Sequence, residues 1–497
     1  MTHTTPGIHR WRAFALLAVS YFMTIVDFTI VNVSLPTIGR DLHLSSSSLQ
    51  WVVTAYALAL GGFLLLGGRA ADLLGRRRIM MAGLALFTGA SLACGLATSD
   101  GFLVAGRALQ GLGGALMLPA ALSIVMNMFR EGAERNKALG IWGGLGATAG
   151  TTGLITGGLL TRYAGWHSIF LVNVPIGVGA LLLAPRLVPD SRLEAAHRRF
   201  DVLGASLGTG GLVLLVDAIS QAPQYGWGTA RTIALLAAAA ALLVSFLVVE
   251  TRTVAPILPL SIFRLPTVAG ANVAGLLLGG SFYAFVFVGT LYMQLVLHYS
   301  PLQTGAAWLA ASVTSMALAG LSQWLVTRRG ARLVMAIGMG LIGVGIMWMT
   351  QVPVDGHFLG DLAGPFFVAG AGTAFAFIPI SVAALTGVGP DRAGIASGLL
   401  STSQQLGGAL GVAIASSVAA GRSSALLHAG RSAPAALTGG YVRACWVLGA
   451  IALIALPAIF ALVRSGSSAE GDAVPSAEGD AVPSAAGEAR PALAGSR

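Results

Sequence analysis

The sequence predicts an all-α membrane protein with fourteen transmembrane helices: two six-helix halves and two accessory helices inserted between them. Three observations carry that prediction. Only 10% of the residues are charged while 55% are hydrophobic, where a soluble domain averages about 25% charged. Apolar runs recur from end to end, each near the roughly 20 residues needed to cross a bilayer. The arginines between the runs collect in alternate loops, the topology signal of a multi-pass protein. No interval between the runs is long enough for a globular domain with its own core.

The runs fall at 13–35, 50–68, 79–98, 102–126, 138–160, 167–185, 203–221, 231–250, 268–296, 303–326, 333–351, 361–383, 394–419 and 441–463. Residues 1–12 are expected to form a cytoplasmic N-terminus, with Arg10 and Arg12 ahead of the first span. That span is too long for a signal-peptide h-region and lacks a small-residue cleavage site, so it is expected to be retained. Residues 13–186 make the first half, and 187–266 a linker holding the two accessory helices. Residues 267–464 make the second half. The tail, 465–497, repeats SAEGDAVP and has little to bury, which predicts disorder. Loops on one side carry Arg69, Arg76 to Arg78, Arg130, Arg135, Lys137, Arg186, Arg192, Arg198, Arg199, Arg252, Arg264, Arg328, Arg329, Arg332 and Arg392. The opposite loops hold only Arg40, Arg162, Arg231, Arg422, Arg431 and Arg443. The asymmetry places both termini in the cytoplasm.

Composition also excludes several classes. The formal net charge is +10, but its basic residues sit in short clusters between apolar runs, which argues against nucleic-acid binding. Cys94 and Cys445 both lie inside apolar runs and have neither disulfide nor metal spacing. No phosphate-binding G-x-x-x-x-G-K-[ST] run and no catalytic cluster is present, so neither ATP drive nor an enzyme is expected. Arginine in place of lysine, with abundant Ala and Gly, suggests a bacterial source.

Asp27 and Arg107 are the informative charges. Each lies within a long apolar run, where a charge costs at least about 2.5–3.5 kcal/mol and defaults to a functional hypothesis. Counted from Pro36 and Asp100 at about 1.5 Å per residue, both sit at similar depth and can share a cavity. Arg107, Gln110, Gly111 and Gly114 follow i, i+3, i+4, i+7 spacing and so share one helix face. Burial favours a neutral acid and a nearby arginine favours the carboxylate. Their balance would let Asp27 load and release a proton, the alternative being a permanently ionised pair that fixes packing. Asp217 is a third intramembrane acid, readable either as a cation-recognition group or as a partly wet residue near a loop. Tyr21, Trp51, Tyr56, Gln110, Asp217, Phe285, Tyr292 and Gln404 are candidates for a substrate cavity, where ring faces favour cationic ligands.

The loop after the second span reads Gly68-Arg69-Ala70-Ala71-Asp72-Leu73-Leu74-Gly75-Arg76-Arg77-Arg78, and the chain there resembles the major facilitator superfamily. The resemblance implies a cytoplasmic gate formed by Asp72, Gly75, Arg76 and Arg77. Gly330-Ala331-Arg332 echoes this loop in the second half, as an internal repeat would. VDFTIVNVSLP at 26–36, RALQGLGG at 107–114, GWHSIFLVNVPIG at 165–177 and SGLLSTSQQLGG at 397–408 are similar to motifs of the fourteen-helix drug/proton antiporters. Two departures stand out. Leu154 occupies the proline position of the antiporter motif that ends Gly157-Gly158, and His167-Ser168 replaces an Arg-Trp pair. Gly153, Gly157 and Gly158, like Gly111 and Gly114, still allow close helix approach.

The resemblance implies a proton-coupled antiporter of the cell membrane that exports amphipathic drugs, antibiotics or related natural products. Protons would be the coupling ion with no other cofactor, and a single copy would form the pathway in the lipid bilayer. Export of one endogenous metabolite or siderophore, or ligand sensing without flux, are the alternatives.

Overall fold

The computed structural model describes residues 7–129, 133–189, 202–253, 256, 258, 260–389 and 393–464, and every regular element among them is helical. The first half runs α1 (Gly7–Asp41), α2 (Ser46–Leu74), α3 (Arg76–Gly95), α4 (Asp100–Met128), α5 (Ala133–Ala164) and α6 (Ser168–Leu187, hitched at Val172). The accessory pair is α7 (Val202–Tyr225) and α8 (Ala230–Arg252). The second half is α9 (Pro266–Val296), α10 (Pro301–Arg329), α11 (Ala331–Gln351), α12 (Phe358–Leu385), α13 (Ala393–His428) and α14 (Ala433–Leu462). Thirteen helices among the described residues are long and apolar enough to cross a membrane. The remaining rod, α5, has 32 residues and packs along α1. Residues 190–201 and the tail 465–497 lie outside the described residues.

Local sequence explains most starts and stops. Ser45 caps α2 by accepting from the Ser48 amide, and Thr229 caps α8 through the Thr232 amide. Ser300 and Gln303 form a reciprocal capping box at the start of α10. Gly75 (φ 106°) and Gly330 (φ 79°) turn the chain between α2 and α3 and between α10 and α11, in a backbone region that disfavours side chains. Several helices outrun their apolar stretches. α1 continues through Pro36 to Asp41, where Arg40 folds back to donate to the Pro36 carbonyl at 3.4 Å. α5 carries no internal proline, because Leu154 stands at that position and keeps its N–H. α9 contains two π-helical turns, Gly279–Tyr283 and Tyr292–Val296.

The helix pairings repeat between the halves. In the first, α4 packs on α2 and α3, α1 on α5, and α3 on α6. In the second, α12 packs on α10 and α11, α9 on α13, and α11 on α14. Across the seam, α2 meets α13 and α5 meets α10, which are equivalent pairs under the same repeat. α7 leans on both α2 and α13, with Val216 buried among Ala57, Leu58, Ala409 and Ala413. α8 packs mainly on α7 and leaves Ile233, Val244, Leu247 and Val248 exposed, an apolar face suited to lipid.

Candidate functional site

Five helices of the first half bring polar groups to one point in an otherwise apolar core. Asp27 of α1 and Arg107 of α4 are both fully buried, and Arg107 Nη1 lies 2.5 Å from Asp27 Oδ2. Arg107 Nε donates to the Val52 carbonyl of α2 at 2.9 Å, and Nη1 also reaches Gln110 Oε1 at 2.9 Å. The other carboxylate oxygen, Asp27 Oδ1, accepts from Asn173 Nδ2 of α6 at 2.7 Å and from Gln110 Nε2 at 3.1 Å. Gln110 Nε2 also donates to Ser91 Oγ of α3 at 2.7 Å, and the Cys94 thiol donates to Gln110 Oε1 at 3.5 Å. The Tyr56 ring covers the guanidinium at 4.4 Å, and its hydroxyl donates to the Thr24 carbonyl at 3.1 Å. Arg107 Nη2 is buried with no hydrogen-bond partner.

Burying two ions is expensive, and their attraction repays it only when remaining donors and acceptors are satisfied. Gln110 and Asn173 do that for Asp27. Arg107 Nη2 is left without a protein partner among the described residues.

Glycines let the helices close around this cluster. A Cβ on Gly111 would collide with the Tyr56 carbonyl and sit 2.9 Å from Ala59, while one on Gly114 would stand 3.3 Å from Thr24. Gly153 and Gly157 face α1 one turn apart, the first against Thr29 and the Val26 carbonyl and the second against Ile30. Gly158 faces the other way, and its Cβ would come within 2.8 Å of Leu302 on α10. The same residue types that flank Asp27 therefore also seat α5 against the second half.

The cavity candidates disperse. Tyr56 and Gln110 belong to the buried cluster itself. Tyr21 stacks on Trp142 of α5 at 4.3 Å, and partly buried Trp51 packs with the α7 cluster. Gln404 lies on α13, where its carbonyl abuts Gly279 of α9 within the second half. Phe285 and Tyr292 require correction as cavity lining. Phe285 is fully buried, edge-on to Trp308 and Phe366, and Tyr292 is 1% exposed with its hydroxyl donating to the Pro353 carbonyl at 2.5 Å. Both are core of the second half, because large aromatic surface is stabilised most by complete burial. Asp217 is likewise not brought to Asp27. It accepts from Gln221 at 2.5 Å, and Gln221 in turn accepts from Arg231 at 2.7 Å, near the α7–α8 turn.

Two features escaped sequence reasoning. Asn173 was visible only as part of a motif, although a lone amide within an apolar run is itself a signal. The second is an aromatic path: Tyr56 lies 5.9 Å from Phe28, and Phe28 lies 5.4 Å from Tyr283 of α9. It connects the buried ion pair to the seam between the halves.

At the opposite end of the helices, Arg76 Nε and Nη2 donate to Asp72 Oδ1 at 3.2 and 3.1 Å across the Gly75 turn. Arg77 Nη1 donates to the carbonyls of Pro185 and Val188 at 3.3 and 3.2 Å, tying α3 to the end of α6. A cation at a helix C-terminus also complements its dipole.

Two pseudo-equivalent six-helix halves with a buried ion pair and a charged loop between α2 and α3 define a membrane transporter. The family model of the Major Facilitator Superfamily matches residues 17–412, and the chain belongs to that superfamily. It is a multi-pass membrane transporter and not an enzyme. A cephamycin export protein of Amycolatopsis lactamdurans is 40% identical over 81% of this chain and 83% of its own. A puromycin resistance protein of Streptomyces alboniger is 36% identical over 94% and 93%. Among solved structures, a bacterial homologue of the lysosomal transporter Spinster aligns with a TM-score of 0.64 at 15% identity, over 93% of this chain and 98% of that one, a likeness of fold alone.

Proposed function

We propose that this transporter is a proton-coupled antiporter that exports amphipathic antibiotics or related natural products, with both termini in the cytoplasm. The similarity to antibiotic export and resistance proteins supports the direction and the ligand class. The buried Asp27–Arg107 pair supports the coupling, and it is the observation that carries the reading. Protonating Asp27 would remove its charge and release Arg107 Nη1, leaving the guanidinium held by Val52, Gln110 and the Tyr56 ring. α1 and α4 would then re-pack, and the aromatic path through Phe28 and Tyr283 would pass that change to the seam. The Asp72–Arg76 loop would set the balance between the two orientations of the halves, which rock about the central pathway.

The decisive experiment is flux in sealed vesicles of the purified protein under an imposed pH gradient. Cephamycin and puromycin are the first substrates to try. Substrate should accumulate against its gradient only when protons run the opposite way, and accumulation should collapse when a protonophore is added. Accumulation that persists with the protonophore would overturn proton coupling. Binding without flux would make the chain a sensor.

A further inference from the structure

The α7–α8 turn roofs a cavity of about 840 Å³ between the accessory pair and the second half. Its walls come from the end of α7, from α13 and from α14. Two arginines, Arg422 and Arg443, and two tryptophans, Trp227 and Trp446, supply its large side chains. Gly421 and Gly439 also line it, and a Cβ on Gly439 would run into Leu426 of α13. No acidic residue lines it. Neither arginine has a hydrogen bond or ion pair among the described residues. Both are exposed, as are Trp227 at 57% and Trp446 at 51%.

Position decides what fits. Gly421 of α13 is level with Pro223 at the end of α7, since a Cβ there would touch Pro223 at 3.9 Å. α13 runs on to His428, about 10 Å farther at 1.5 Å per residue. The cavity therefore lies where the shorter accessory hairpin ends, the level at which tryptophan favours the membrane–water boundary. On α14, Gly439, Arg443 and Trp446 follow one face, with the backbone of Trp446 about 5 Å deeper along the helix than that of Arg443. Cationic groups thus lie toward the helix ends and apolar surface lies below them.

We propose that this cavity binds one anionic phospholipid, with Arg422 and Arg443 on the headgroup phosphate and Trp446 against an acyl chain. Arginine suits phosphate because its planar fork donates two parallel hydrogen bonds to the oxygens. A phosphate there neutralises two exposed positive charges that no group answers among the described residues. The lipid then fills the gap between the accessory hairpin and the second half. This inference needs only the membrane location and stands apart from the transport reading.

The test uses the full-length protein purified in detergent and stripped of lipid. Thermal unfolding is followed while dioleoyl phosphatidylglycerol, dioleoyl phosphatidylcholine or inorganic phosphate is added. Phosphatidylglycerol should raise the melting temperature at far lower concentration than phosphatidylcholine. In the Arg422→Gln, Arg443→Gln double variant the concentration needed should rise about thirtyfold, given about 1 kcal/mol for each lost arginine and a tenfold step per roughly 1.4 kcal/mol. The Lys, Lys double variant, which keeps the charge and loses the fork, should fall between the parent and the glutamine variant. Phosphatidylglycerol carrying brominated acyl chains should quench tryptophan fluorescence, and Trp446→Phe should lower the quenched fraction. An unchanged response in the glutamine variant, or equal potency of the two lipids, overturns the proposal. So does an equal effect of inorganic phosphate, which would mark a free-anion site. Quenching that survives intact in Trp446→Phe overturns the placement of the acyl chain, and does so even if the arginine variant fails to fold.

Discussion

Asp27 has three donors around one carboxylate, and each can be removed separately. Asp27→Asn cannot exchange a proton, so uphill export should be lost while downhill substrate exchange survives. Flux measured with and without a pH gradient reads both quantities, and uphill export by Asp27→Asn would move the coupling site elsewhere. Asn173→Ala withdraws the 2.7 Å donor and leaves the acid in place. A hydrogen bond to a charged group contributes about 1.5–3 kcal/mol, so this variant should melt several degrees lower and pump more slowly. Arg107→Lys keeps the charge, but an ammonium cannot reproduce the fork that reaches Val52, Gln110 and Asp27 together. Its export should fall close to that of Asp27→Asn.

The helices meet at glycines, and α5 supplies its own control. A Cβ at Gly153 would run into Thr29 and stand 2.9 Å from the Val26 carbonyl, whereas one at Gly144 or Gly150 meets nothing within 4 Å. Gly153→Val should therefore push α5 off α1 beside Asp27, with an overpacking cost of about 1–3 kcal/mol or more. Gly144→Ala and Gly150→Ala should leave melting and export near the parent values. Equal losses at all three positions in thermal-shift and flux measurements would mean that helix propensity, and not contact with α1, sets the effect.

For the molecule as a whole, the seam and the loop at Gly75 govern how the halves move. Asp72→Asn weakens the hold on Arg76 without touching the buried cluster. Substrate binding should stay near the parent value while export slows several-fold, and unchanged flux would reduce the loop to a topology signal. Orientation is tested at the accessory hairpin. Gly228 lies in the turn between α7 and α8 with open space around it. A cysteine placed there should react with a membrane-impermeant maleimide on intact cells. One placed at Leu74, which is 50% exposed, should react only after permeabilisation.

The helical membrane fold was legible because the bilayer is a harsh solvent: each span must be long, apolar and internally hydrogen-bonded. Composition and run length are therefore nearly sufficient for it, and the arginines add an expected orientation. The repeat at Gly75 and Gly330 was legible for a similar reason, since a turn with positive φ selects glycine. Asp27 and Arg107 stood out because charges are costly inside apolar runs. Their direct contact, the parts played by Asn173 and Ser91, and the path through Phe28 to Tyr283 depend on which helix faces meet. The dispersal of the aromatics was hidden for the same reason, as Phe285 and Tyr292 look like cavity residues until Trp308, Phe366 and Pro353 close around them. Helix periodicity specifies a face but not its neighbour, and the neighbour is set by packing among helices far apart in sequence. Only the tertiary structure decided that Asp27 is answered from two other helices, α4 and α6, and that among the described residues no side chain answers Arg422 and Arg443.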